Sequence, residues 1–285
     1  MEPLTLRNQT FTWGDRTYVM GILNVTPDSF SDGGQFNSVA AALAQAEKMV
    51  AAGIDILDIG GQSTRPGAAQ ISLAEELDRT IPVIRALREK FQTVISIDTT
   101  RAEVAKEAIA AGADIVNDIS GATFDAQMLT VVRDLNVPII LMHIRGTPET
   151  MQSLTDYQDL IADLKTFFQG RIAAALELGI PKNHLILDPG IGFAKTALQN
   201  YDLIRQLQDF RDLGYPLLVG PSRKSFIGHI LNKPDPTQRV WGTAAACAGA
   251  IAFGADILRV HDGPEMIDVA KIADAIWRPT KSAET

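Results

Sequence analysis

Apolar and polar positions along this chain fall into blocks. Short apolar runs occur at 18–23, 54–59, 94–97, 114–116, 137–142, 185–187, 216–219 and 257–260. Each has little internal alternation, which predicts strands buried on both faces. Between them lie longer segments with apolar residues at helical spacing: 38–52, 101–111, 125–135, 157–178, 198–213, 224–231, 238–253 and 264–277. Another helix is predicted from Ser72, with Glu75 three residues on as a capping box, towards Lys90. Gly53, Gly112 and Gly179 stand where helices should stop. Eight strand–helix repeats predict an α/β fold, a (β/α)8 barrel. Residues 4–19 alternate on a shorter scale around Gly14-Asp15 and predict an N-terminal β-hairpin that covers one end of the domain.

No linker rich in Pro, Gly and Ser divides the chain, so 1–285 reads as a single domain, with the hairpin in 1–17 and a frayed tail in 278–285. A doubly wound sheet is the competing architecture. Neither a G-x-G-x-x-G opening a helix nor a G-x-x-x-x-G-K-[ST] loop supports it.

Composition narrows the function classes. A net charge of −8 disfavours nucleic-acid binding but leaves room for a small anion held by a local basic cluster. The longest small, apolar stretch, 244–255, is too short to span a membrane, and the N-terminus does not read as a secretory signal. The single cysteine, Cys247, sits among alanines and glycines and reads as a core residue. These features point to the cytoplasm.

The chemistry gathers at the C-terminal ends of the predicted strands: Asn24, Asp58, Asp98, Asn117, His143, Asp188 and His261. In a barrel these ends converge on one face. For Asp58 and His143 a structural role is as good a reading as a functional one. Asp98, Asn117 and Asp188 together are costly unless a ligand satisfies them, and they suit a fused heterocycle rich in N–H donors beside a carbonyl. Arg223 and Lys224 follow the seventh strand, Arg259 and His261 end the eighth, and Ser222 and Ser225 sit near a helix start. The loops after strands seven and eight are the usual phosphate-binding region of such barrels. Arg65 either approaches the same mouth or lies in solvent. No metal-ligand motif or Ser-His-Asp set is evident. A phosphate-bearing substrate can bring Mg²⁺, to which Asn24 could give one oxygen. The stretch MGILNVTPDSFSDGG, residues 20–34, reads as a buried strand emptying into a long polar loop punctuated by Pro27, Gly33 and Gly34.

Together with DIGGQSTRPGA (58–68), SIDT (96–99), VNDISG (116–121), LMHIRGTPETMQ (141–152), DPGIGFAK (188–195), PSRKSFIG (221–228) and VHD (260–262), that stretch resembles the dihydropteroate synthases of the folate pathway. The resemblance spans nearly the whole chain in order. It implies condensation of 6-hydroxymethyl-7,8-dihydropterin diphosphate with 4-aminobenzoate to dihydropteroate and diphosphate. By the same resemblance Asp98, Asn117, Asp188 and Lys224 would hold the pterin. Thr64, Arg259 and His261 would bind the departing anion, and Asn24 would ligate Mg²⁺ carried with it. Asp98, Lys224 and Arg259 would be the catalytic groups. Asp28, Phe30, Arg65, Pro66, Phe193 and Ser225 would shape the aminobenzoate site. A homodimer is also implied. Two positions depart from the family pattern: Gln62 where Glu is commoner, and Ala194 where Gly often stands. Two other readings are a pterin-binding methyltransferase domain and a non-catalytic pterin binder. The paired loops and PSRKSFIG count against the first, and the intact Asn24, Arg65, Lys224 and His261 against the second.

Overall fold

The computed structural model describes residues 1–25, 34–65 and 67–278. It opens with an antiparallel hairpin, β1 (Leu4–Leu6) and β2 (Gln9–Phe11), in which Leu4 faces Phe11. Eight parallel strands follow: β3 (Tyr18–Asn24), β4 (Ile56–Gly60), β5 (Val94–Asp98), β6 (Ile115–Asp118), β7 (Ile139–Met142), β8 (Leu185–Asp188), β9 (Leu218–Val219) and β10 (Ile257–Val260). Strands β3 to β8 pair in sequence, and β10 pairs with both β9 and β3. Between β8 and β9 the circle is completed by the single bridge Leu187–Leu217. The helices are α1 (Gly34–Ala52), α2 (Leu73–Lys90), α3 (Ala102–Ala111), α4 (Met128–Leu135), α5 (Leu160–Glu177), α6 (Ala197–Arg205), α7 (Ser225–Leu231), α8 (Val240–Ala252) and α9 (Gly263–Trp277). The expected (β/α)8 barrel is therefore present, with its N-terminal hairpin.

The blocks of apolar sequence arise because each strand is buried twice. Tyr18, Met20, Ile56, Val94, Ile115, Ile140, Ile186, Leu218 and Ile257 share one core that fills the lower lumen. Their neighbours Val19, Leu57, Ile95, Val116, Leu141, Leu187, Val219 and Leu258 belong to a second core, shared with the helices. Successive residues of a strand point to opposite faces, so no polar alternation survives. The hairpin closes the N-terminal end. Phe11, Trp13 and Tyr18 pack together, the Phe11 and Tyr18 ring centroids 4.7 Å apart, against the lower lumen.

Several boundaries differ from the sequence expectation, for local reasons. Helix α4 begins at Met128, and Asp125 ahead of it divides its carboxylate, with Oδ1 accepting the Gln127 N–H at 2.9 Å. Its Oδ2 accepts the Ala102 N–H at 2.8 Å and so caps α3, whose own cap residue Arg101 makes no side-chain cap bond. Helix α5 begins at Leu160, capped by Asp159. The segment 198–213 is α-helical only to Arg205 and continues as a 3-10 helix, Leu207–Leu213. At Ser72 half of the expected capping box forms. The serine accepts the Glu75 N–H, but the Glu75 carboxylate pairs with Arg79. Arg278, the first residue of the tail expected to fray, reaches back to the Ala255 carbonyl, and the rest of that segment lies outside the described residues. Cys247 is buried, as expected. Among the described residues no helix is long and apolar enough to cross a membrane.

Candidate active site

Strand register builds the floor of the site. Asn24 is paired in register with Gly60, Gly60 with Asp98, and Asp98 with Asn117. Three polar side chains thus stand in one row across four strands, with a glycine between the first two. A Cβ on Gly60 would lie 3.4 Å from Asn24 Oδ1 and 3.6 Å from Asp98 Cβ, so the missing side chain leaves space between them. Asp188 ends β8, beside Met142 of β7.

Cations answer the carboxylates. Arg259, on β10, donates from Nε to Asp58 at 2.6 Å and from Nη2 to Asp98 at 2.6 Å. Sequence reasoning expected Arg259 at the anion; here it is turned towards two buried carboxylates 201 and 161 residues away in the chain. Asp58, fully buried, is an anchor for that arginine and accepts weakly from Asn117 at 3.3 Å. Asp98 and Asn117 thus each have an internal partner. Burial, with the Asp58 charge adding to it, pushes the Asp98 carboxyl up to about 7 against the pull of Arg259. Arg259 itself is held above its ordinary range by its two carboxylates.

Lys224 meets Asp188 across the mouth. Its ammonium donates to the Ile191 carbonyl at 2.5 Å and lies 4.0 Å above the Phe193 ring. Both contacts are on the turn that follows Asp188, which fixes Asp188 and Lys224 on the same rim. Burial lowers the lysine to about 7, although Asp188 favours its charge. Asp188 is raised by burial, offset by the Gly190 N–H at 2.8 Å and by Lys224. Phe193, expected in the aminobenzoate site, lies beneath the Lys224 ammonium. It closes a small apolar cluster with Ile119, Met142, Ile144 and Met151 beside the polar row. This apolar wall was not foreseen. A flat ring would find an apolar face there and hydrogen-bonding groups at its edge.

At the end of β10, His261 and Ser222 form a closed pair. The His261 N–H donates to Ser222 Oγ at 3.1 Å, and Ser222 Oγ lies 3.0 Å from His261 Nδ1. Burial, then Arg223 and Arg259, lowers the imidazole to about 3, so it is neutral. Where the Ser222 hydroxyl donates to Nδ1, the ring proton sits on Nε2 and is available to a ligand. Arg223, part of the basic cluster that the sequence suggested for an anion, has an acidic partner. It is paired with Asp262 at 2.5 Å. Ser225 is the exposed first residue of α7, and Lys224 is its N-cap.

The second loop contributes Thr64 and an exposed Arg65. Thr64 and Asp98 line a cavity of about 150 Å³ walled also by Glu76, Thr99, Ile119 and Pro148. Asp28, Phe30 and Pro66 lie outside the described residues. Both departures from the family pattern have local consequences. Gln62 uses both ends of its amide, donating to the Ala69 carbonyl at 3.2 Å and accepting the Ile71 N–H at 3.1 Å. A glutamate there would lose the donor. Ala194 holds φ +49°, a conformation that favours glycine. His143, ambiguous in the sequence, is buried and kept neutral, lowered to about 2 by burial and by the charges of Lys195 and Arg145. Lys195 was not singled out. Its one signal was a charged residue directly after Phe193-Ala194 in a glycine-punctuated turn.

No group of three or more His, Cys, Asp or Glu side chains suited to a metal occurs among the described residues. Asn24 offers one neutral oxygen at the rim. That donor set fits a hard cation brought by a phosphate ligand and not a resident metal.

The family of pterin binding enzymes matches this chain over residues 20–261. A dihydropteroate synthase of Synechocystis sp. is 62% identical over 276 residues, 97% of this chain and 96% of its own length. A Yersinia pestis dihydropteroate synthase solved as a sulfonamide drug complex superposes with a TM-score of 0.90 at 45% identity, covering 96% of this chain and 99% of that one. A Clostridium difficile dihydropteroate synthase solved in the presence of pteroic acid gives a TM-score of 0.89 at 45% identity over 94% of this chain and 99% of that one. With the family model matched over residues 20–261 and a relative 62% identical over nearly its whole length, the chain belongs to the pterin binding enzymes, and among them to the dihydropteroate synthases.

Proposed function

We infer that this transferase condenses 6-hydroxymethyl-7,8-dihydropterin diphosphate with 4-aminobenzoate, releasing dihydropteroate and diphosphate. The observation that carries the reading is the Asp98–Asn117 row facing Asp188 and Lys224 across a mouth walled by Phe193, Met142 and Ile119. Carboxylates and an amide take the N–H edge of a pterin, Lys224 donates to its carbonyl or ring nitrogen, and the apolar wall covers its face. Pteroic acid, present with the Clostridium difficile relative, is a pterin joined to 4-aminobenzoate and supports both halves of the assignment.

Catalysis on this reading is positioning and electrostatics, without a covalent enzyme intermediate. The C–O bond between the pterin methylene and diphosphate breaks, and the electron pair leaves with the diphosphate. The amine nitrogen forms the new C–N bond and then gives up a proton. Bond breaking runs ahead of bond making, and Asp98 offsets the positive charge that develops on the methylene. Neutral His261 donates from Nε2 to the departing anion, and Thr64 donates from its hydroxyl. Arg259 acts at short range through the charge it shares with Asp98, and its pairing with Asp58 keeps it there. Arg65 and Ser225 suit the aminobenzoate carboxylate, with Pro66 beside Arg65 and Asp28 and Phe30 assigned from the first loop. Mg²⁺ bound through the diphosphate and the Asn24 oxygen would neutralise leaving-group charge.

The test is diphosphate release by purified protein given both substrates and Mg²⁺. Release that needs the amine, falls with chelator and is inhibited by a sulfonamide competing with 4-aminobenzoate supports the reading. Release without amine, or none, overturns it. The same reading makes the protein a cytoplasmic homodimer. Trp241, Ile230, Ile272 and Ile276 on α7, α8 and α9 are 60–78% exposed and suit a second copy. Light scattering at the mass of one chain would refute the dimer.

A further inference from the structure

Lys195 is 3% exposed, and its ammonium has three neighbours: the Gly190 carbonyl at 3.1 Å, the Phe193 carbonyl at 2.9 Å and His143 Nδ1 at 3.2 Å. The two carbonyls belong to the turn that joins Asp188 to α6, and His143 follows β7. The opposite side of the same turn faces the mouth. It presents the Ile191 carbonyl and the Phe193 ring to Lys224 and the Gly190 N–H to Asp188. Space is tight on both sides. A Cβ on Gly190 would meet the His143 carbonyl at 2.1 Å, and one on Gly192 would meet Lys224 Cδ at 2.5 Å. Burial lowers Lys195 to about 7, with Asp188 opposing the fall; as an ammonium it has three donors for three acceptors, and neutral His143 then accepts at Nδ1.

We propose that Lys195 is a positioning residue of the pterin pocket: it clamps the 190–194 turn against His143 and so holds Phe193 and the Ile191 carbonyl where Lys224 and the substrate ring meet them. The proposal rests on the pterin reading of that pocket. Lys195 lies on the far side of the turn and touches neither substrate. Its loss therefore acts through the platform. Two buried carbonyls and an imidazole nitrogen are left without a donor, and the turn must move to rehydrate them.

The experiment compares wild type, Lys195→Met and Lys195→Gln, with Arg88→Met as a control. Arg88 braces the ends of α2 and α3 far from the site, donating to Gly112, Phe91 and Thr93 carbonyls and to Asp114. Its variant reports the effect of lost stability alone. Steady-state kinetics with 6-hydroxymethyl-7,8-dihydropterin diphosphate should show KM raised about tenfold to a hundredfold in Lys195→Met, the range expected when one to two buried acceptors lose their donor. Its kcat should stay within about threefold, and Lys195→Gln should fall between, keeping one amide donor. Arg88→Met should leave KM unchanged. A 4-fluorophenylalanine placed at position 193 reports the platform without any ligand: its ¹⁹F resonance should shift and broaden in Lys195→Met and not in Arg88→Met. Should the Met variant not fold, Lys195→Gln carries the comparison. An unchanged ¹⁹F signal, or a fall in kcat at constant KM, overturns the proposal. Failure of the pterin reading shows separately, as absence of turnover in wild type with the ¹⁹F result intact.

Discussion

Replacing Arg259 by Met removes the one cation that bridges Asp58 and Asp98. Asp58 is fully buried and Asp98 is 6% exposed, so neither can turn to water. Breaking a buried pair from one side costs about 3–5 kcal/mol, because the stranded charge loses its partner without regaining solvent. For a chain of 285 residues the unfolding entropy is about 0.6 kcal/mol/K, so a loss near 4 kcal/mol lowers Tm by about 7 °C. The loss depends on pH in a defined direction. In wild type the Asp98 carboxyl titrates at about 7, above its ordinary 3.8, and adds no slope once ionised. Without Arg259 its folded pKa moves higher still. Above pH 7 the native variant then holds a proton that the unfolded chain has lost, and stability falls as pH rises, by up to about 1.4 kcal/mol per unit. Urea denaturation of both proteins at pH 7.0 and 8.5 measures this. The gap between them should widen with pH, and adding Asp98→Asn to the variant should narrow it by removing one stranded charge. A gap below about 1 kcal/mol, or one constant with pH, would show that the bridge does not organise the lumen.

Three further outcomes are expected. Gly190→Ala forces a Cβ into the His143 carbonyl at φ +73°, and should cost about 3 kcal/mol or more by denaturant titration, beyond an ordinary left-handed penalty. Ala194→Gly relieves a left-handed alanine and should stabilise by about 0.5–1 kcal/mol, since glycine's extra unfolded-state entropy offsets part of the gain. Burial lowers His143 to about 2, so between there and 6.5 the unfolded chain binds a proton that the native state refuses. Its contribution is whole above pH 6.5 and declines as pH falls, so His143→Asn should flatten the acid limb of a stability–pH curve.

The barrel was legible in the chain because double burial turns each strand into an apolar run that ends on a polar residue. The row Asn24–Asp98–Asn117 was legible for the same reason: only groups at the open rim escape the apolar rule. What the sequence hid is pairing over distance. Nothing near Arg259 announces Asp58, and nothing near Asp125 announces that it caps α3 as well. Lys195 was hidden differently. A lysine in a glycine-rich turn reads as solvated until three acceptors are seen around it. The apolar wall of Ile119, Met142 and Phe193 was masked because its members read as ordinary core.

Strand β9 is two residues long, and its link to β8 is one bridge, with the Leu187 N–H held by the Pro216 carbonyl. This is the thinnest joint in the ring of strands, and it lies directly below the gap between Asp188 and Lys224. Any molecule gripped by both side chains therefore sews the wall shut from above. Amide exchange at Leu187 should slow when the mouth is occupied, far more than at the densely laddered β3–β4 joint. The substrate would then be, for the time it stays, a structural member of the barrel it sits in.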